Sequence, residues 1–111
     1  MIPLYEAKAE LFRTLGHPVR IRVLEMLLDG PRPVHELLAE VEIEASNLSQ
    51  QLGLLRRAGL VESTRRGSSV VYMISAPEVS ELMAAAKKVL ARLLTDNEGL
   101  LTELRSSVGS N

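Results

Sequence analysis

The sequence predicts a mainly α-helical fold with one small β-hairpin, arranged as a winged helix-turn-helix. Two observations predict it. First, residues 34–58 hold two short helical patterns joined by a tight turn, and residues 60–74 follow at once with two β-patterned runs around an arginine-rich tip. Second, the helical pattern from Ala45 to Ala58 has two unlike faces. At 100° per residue Leu48, Leu52 and Leu55 fall together, while Ser46, Gln50, Gly53 and Arg57 fall opposite, flanked by Asn47 and Ser49. A helix that needs only to be soluble more often carries Glu and Lys on that side.

Each element has its own signal. Pro3 starts a first helix that runs through Leu4, Leu11 and Phe12 to about Leu15. Gly16-His17-Pro18 breaks it, and Pro18 opens a second helix to about Leu28, with Ile21, Leu24 and Leu28 at helical spacing. Asp29-Gly30-Pro31-Arg32-Pro33 is a stop. A third helix, about Pro33 to Glu40, buries Val34, Leu37 and Leu38, and Val41 to Glu44 turn the chain into the fourth. Gly59 supplies a left-handed end for that fourth helix. Leu60 to Thr64 then form a strand, Arg65-Arg66-Gly67-Ser68 a turn, and Ser69 to Ile74 the return strand. Such a hairpin is only marginally stable alone, so it must lean on the helices. Ala76-Pro77-Glu78 opens a long last helix to about Leu94, with an apolar stripe through Val79, Leu82, Met83, Ala86, Val89, Leu90 and Leu93. Asp96 to Gly99 interrupt, a shorter apolar pattern resumes at Leu100, Leu101 and Leu104, and disorder is expected from Ser106 to Asn111.

Composition bounds the function. With 111 residues, 46% hydrophobic and 24% charged, the chain suits one core: a domain over residues 1–95 and a partly disordered C-terminal extension over 96–111. Phe12, Tyr5 and Tyr72 are the only aromatics, so the core must be aliphatic. No apolar run reaches the ~18–20 residues of a membrane span and no signal peptide is visible, so a cytoplasmic protein without membrane contact is expected. The absence of cysteine excludes disulfides, thiolate metal sites and thiol redox chemistry. No catalytic constellation is visible, and no enzyme is expected. Net charge is only −1, but residues 45–75 carry four arginines against Glu62 alone, a net of +3, leaving −4 elsewhere. Short polar side chains at the front of a helix, with arginine behind, suit base edges and phosphates of a DNA major groove. The tip's Arg65 and Arg66 suit phosphate.

Several segments together resemble a known family. Leu11-Phe12-Arg13-Thr14-Leu15-Gly16-His17-Pro18-Val19-Arg20-Ile21-Arg22-Val23-Leu24 is similar to the opening of ArsR/SmtB-type regulators. So are Ala45 to Leu52, Leu55 to Val61, and the wing-like Arg65 to Tyr72, in the same order. The resemblance covers about residues 5–95. It implies a homodimeric bacterial transcription regulator of repressor type that binds a partly palindromic double-stranded operator and dimerises through its first and last helices. Carried over residue by residue, DNA-binding positions are Ser46, Asn47, Ser49 and Gln50, with Arg57, Arg65, Arg66 and Ser68 towards the backbone. The dimer interface then comprises Leu4, Leu11, Val79, Leu82, Met83, Ala86, Val89, Leu90 and Leu93. The stripe on the last helix independently offers more apolar surface than a chain this small can cover. Two recognition helices ~34 Å apart would meet successive half-sites.

The departures from the family bear on what is sensed. Where metal-sensing relatives carry a Cys-x-Cys-type pair this chain reads Pro33-Val34-His35-Glu36, and the last helix has no histidine. His17 and His35 are the only imidazole ligands for nickel or zinc, and a capping or structural role explains each more simply. A shared site of His17 with Glu6 or Glu10 at a dimer interface is the weaker idea. Two sources of signal stay open: a histidine/carboxylate metal site, in which a cysteine-free chain resembles the nickel-linked SrnR-type subgroup, and a separate sensor protein docking on the dimer. The competing class is a winged-helix protein-interaction module without a DNA target. Its mark would be an apolar recognition face, where Leu54 is the one large apolar residue.

Overall fold

Pro3, extended at φ −62° and ψ 154°, delivers the chain into the first helix, α1 (Leu4–Leu15), in the computed structural model, which describes residues 1–94 and 98–109. The chain divides into two compact units, Met1–Pro77 and Glu78–Asn111. In the first, α1 buries Leu15 and leaves Leu4, Tyr5 and Phe12 exposed. Gly16 ends it, its N–H donating to Phe12 O at 2.8 Å. His17 then caps α2 (Pro18–Met26), with the Val19 N–H donating to His17 Nδ1 at 3.2 Å and Pro18 in the first position.

The inward face of α2 differs from the expected one. The helix stops at Met26 rather than Leu28, and Val23, Leu24, Met26 and Leu27 are buried, whereas Ile21 and Leu28 are 37% and 41% exposed. The segment is apolar at so many positions that more than one helical stripe can be drawn through it. Packing against α3 and α4 selects the stripe.

A strand the sequence did not announce comes next. β1 (Arg32–Pro33) pairs antiparallel with β3, Arg32 opposite Tyr72 and Pro33 opposite Val71. Two residues cannot display a period, and proline, lacking an N–H, is admitted only at a sheet edge. The expected two-stranded hairpin is therefore a three-stranded sheet in the order β1-β3-β2.

α3 (Val34–Val41) buries Leu37 fully and Val34 and Leu38 by half, and ends on Glu42 in the left-handed region at φ 58°. α4 (Ala45–Arg57) buries Leu48, Leu52 and Leu55 against α2 and β2. Its end is a Schellman motif: Gly59 has φ 80°, its N–H donates to Arg56 O at 3.0 Å, and the Leu60 N–H donates to Leu55 O at 3.0 Å. β2 (Val61–Arg66) and β3 (Ser69–Ile74) then pair from Val61 opposite Ile74 to Arg66 opposite Ser69. Arg65 and Arg66 thus belong to the strand, not to the loop that the sequence reading gave them. The turn is Gly67-Ser68 alone, with Gly67 at φ 62°, because a two-residue hairpin loop takes glycine first to match the twist of its strands. Ser75 fastens the hairpin base to the helix end, its hydroxyl donating to Gly59 O at 2.5 Å and its N–H to Leu60 O at 3.1 Å. Among the described residues the buried apolar side chains are all aliphatic, as expected, with Phe12 and Tyr5 exposed and Tyr72 half-buried.

The second unit continues α5 (Pro77–Leu93) from its first residue onward and adds α6 (Glu98–Gly109). Val79 is buried, Leu82 and Met83 are half-buried, and Ala86, Val89, Leu90 and Leu93 are exposed. α6 extends through Ser106 to Gly109, where disorder was expected, because no strong helix breaker intervenes before Gly109. Of the expected interruption at Asp96 to Gly99, Glu98 and Gly99 belong to α6, while Asp96 and Asn97, like the end at Ser110 and Asn111, lie outside the described residues.

Candidate nucleic-acid interface

The leucine side of α4 is held in the core, and this fixes what its other side presents. Ser46, Asn47, Ser49, Gln50 and Arg57 are all exposed. Leu54 is half-buried, so no large apolar side chain stands fully out on this surface. The segment that would carry base-reading chemistry is therefore polar, small at its front and available to solvent. That favours a nucleic-acid edge over an apolar protein groove.

Gly53 has a specific reason to be small. A Cβ built there would lie 3.3 Å from Arg57 Nη1. The arginine therefore folds back one turn and lays its guanidinium over the glycine, on the same outer side as Gln50. Sequence reasoning placed Gly53 on that side without seeing what fills the space.

The hairpin adds a second group of positive charge. Arg65, Arg66 and Ser68 are exposed. Arg65 is opposite Val70 and Arg66 opposite Ser69, so the ladder fixes their backbone while the side chains stay in solvent. Arg56 links helix to hairpin, with Nη1 donating to Ser63 Oγ at 3.4 Å.

Three of the six arginines elsewhere in the sequence, Arg13, Arg22 and Arg32, are matched with carboxylates among the described residues. Arg13 pairs with Glu10, Arg22 with Glu40 at 3.6 Å, and Arg32 with Glu36 at 3.1 Å and Glu40 at 3.6 Å. Among the described residues, Arg56, Arg57, Arg65 and Arg66 pair with no carboxylate. Their charge is left for an external anion, and a row of phosphates is the partner such a distribution fits.

The histidines are not brought together with other donors. His17 is half-buried and its Nδ1 serves as the cap of α2, while His35 stands exposed in the first turn of α3. Among the described residues no group of three His, Cys, Asp or Glu side chains could hold a metal ion. Also among them, no helix is long and apolar enough to cross a membrane. One polar residue escaped the sequence reading: Gln51, on the leucine side of α4, is only 8% exposed. Its hydrogen bond to Asn47, four residues back, was legible as a spacing but not as a contact.

Comparison with known proteins agrees with this geometry. A profile described as "Bacterial regulatory protein, arsR family" matches residues 17–63, from the cap of α2 into β2. The chain is 55% identical to the HTH-type transcriptional regulator Rv0081 of Mycobacterium tuberculosis, over 94% of this chain and 92% of that protein. The crystal structure of Rv0081 superposes with a TM-score of 0.81, covering 86% of this chain and 97% of that one. A biofilm growth-associated repressor of Xylella fastidiosa is 38% identical over 69% of this chain and 68% of its own length. The homodimeric winged helix-turn-helix DNA-binding domain Mb0332 of Mycobacterium bovis is 27% identical with a TM-score of 0.75, over 83% of this chain and 86% of that domain.

Proposed function

The chain belongs to the ArsR family of bacterial regulatory proteins, DNA-binding transcriptional regulators rather than enzymes, and from there we propose that it is a homodimeric cytoplasmic repressor of its target promoter. Ser46, Asn47, Ser49 and Gln50 read base edges in the major groove, and Arg57, Arg65, Arg66 and Ser68 hold the flanking backbone. The observation that carries this reading is the set of arginines around α4 and the hairpin that pair with no carboxylate among the described residues, beside an exposed, uncharged helix front. The repressor relative and the homodimeric domain support the sign of regulation and the stoichiometry.

Occupancy of the operator is gated by whatever binds the DNA-competent dimer shape and its alternative with different affinity. Nickel or zinc finds a poor donor set within one chain: there is no cysteine, His17 Nδ1 is committed to a backbone N–H, and among the described residues no group of three His, Cys, Asp or Glu side chains includes His35. A separate sensor protein that docks on the dimer fits this donor set better than a metal site within one chain does. A gel shift on double-stranded DNA from upstream of the protein's own gene tests the function. A discrete retarded complex, resistant to unrelated competitor DNA, is expected, and equal competition by unrelated DNA contradicts it. Calorimetric titration of nickel and zinc tests the gating. Heats of non-specific association are expected, whereas tight stoichiometric binding that releases the operator would put the sensor in this chain.

A further inference from the structure

Gln51 is a polar residue on an apolar face. It is buried beside the leucines of α4, its Nε2 donates to Asn47 Oδ1 at 3.1 Å, and its Oε1 is buried with no partner. Leaving a buried acceptor unpaired destabilises a fold, and leucine or methionine would suit the position better by packing alone. What the glutamine does instead is grip Asn47, which is exposed one turn nearer the helix front.

The direction of that grip follows from the inventory of donors and acceptors. Turning the Gln51 amide over would bury its two N–H groups where one oxygen now sits, exchanging an orphan acceptor for orphan donors. Oxygens tolerate incomplete pairing better than N–H groups do. Asn47 Oδ1 is therefore the atom turned towards Gln51. Asn47 Nδ2, which no acceptor holds among the described residues, is the atom offered outward.

We propose that Gln51 is a positioning residue for base recognition: it fixes Asn47 as a hydrogen-bond donor, so that Asn47 selects an acceptor edge, guanine O6 and N7 or thymine O4, and does not grip adenine through N6 and N7 together. This rests on the DNA-reading role given to α4 above. It adds that a buried residue, which never touches DNA, sets which base one exposed residue prefers.

The test uses the full-length dimer and a set of operator duplexes in which each base pair of a half-site is permuted. Wild type favours guanine or thymine at one position. Asn47→Ala loses roughly fivefold in affinity there and levels the preference. Gln51→Leu levels the same position, leaves the other positions unchanged, melts no lower than wild type, and adds nothing to Asn47→Ala. Gln51→Met gives the same reading should the leucine variant fail to fold. The proposal is overturned if Gln51→Leu keeps the preference, weakens all duplexes alike, or adds to Asn47→Ala, and equally if the preferred base is adenine. If Asn47→Ala changes nothing while Gln50→Ala still relaxes base preference, α4 reads DNA and this proposal alone fails. If neither variant has an effect, the reading face itself is misplaced.

Discussion

At the residue scale, the proposed interface divides side chains that specify from side chains that attract. Gln50 is exposed in the middle of the α4 front, and its amide can both donate and accept. Gln50→Ala should cost ~1–3 kcal/mol of operator affinity and relax base preference, measured by fluorescence anisotropy on permuted duplexes. Arg65 has only charge to offer. Arg65→Ala should weaken all sequences alike and reduce the slope of log affinity against log salt by about 1. Gly53 links the two behaviours. Alanine gains up to ~1 kcal/mol of helix stability, but its Cβ would press on the Arg57 guanidinium at 3.3 Å, the movable end of a flexible side chain. Gly53→Ala should therefore raise the melting temperature while weakening DNA binding. A variant weaker in both would show that Arg57 and Gly53 are not coupled as described.

At the element scale, the linkage of α3, α4 and the hairpin decides where those residues stand. The turn between α3 and α4 has a glutamate at φ 58°, a conformation that disfavours any residue with a Cβ. Glu42→Gly should stabilise the fold by up to about 1 kcal/mol in urea unfolding with DNA affinity unchanged, and a loss of stability would contradict a strained turn. Much at this scale was readable in advance. The leucine spacing of α4 fixed its inner and outer sides, and Gly59 marked its end, because both signals are local. What escaped depended on partners distant in sequence. β1 exists only because β3 accepts it, and two residues carry no pattern of their own. Ile21 and Leu28 lay on a legitimate stripe of α2, yet the fold buries Val23, Leu24, Met26 and Leu27, a choice made by the neighbouring helices. Arg65 and Arg66 read as a charged tip, whereas the ladder runs through them to a two-residue turn. Gln51 was hidden for the opposite reason. A polar letter within a leucine stripe looks like an interruption until its bond to Asn47 is seen.

At the scale of the whole molecule, positive charge and exposed apolar side chains fall on different elements. Residues 45–75 carry a net +3 in a chain whose total is −1, which favours the proposed approach of DNA to the α4 and hairpin region. Exposed apolar side chains gather on α1 (Leu4, Tyr5, Phe12) and on α5 (Val89, Leu90, Leu93), the helices through which the dimer is proposed to form. Val79 is already buried within the chain and has little surface left to give a partner. Leu93→Glu would place a charge in an apolar contact, so sedimentation should report a dimer dissociation constant raised at least about tenfold, with operator affinity falling in parallel. The central claim, that two copies of the α4 front lie on base edges at once, is tested most directly by selecting binding sites from a randomised duplex library with the purified protein. The account predicts enrichment of a two-fold symmetric site whose half-site centres lie about one helical turn, ~34 Å, apart. A pool that remains random after selection, or that converges on a single unrepeated half-site, would contradict it.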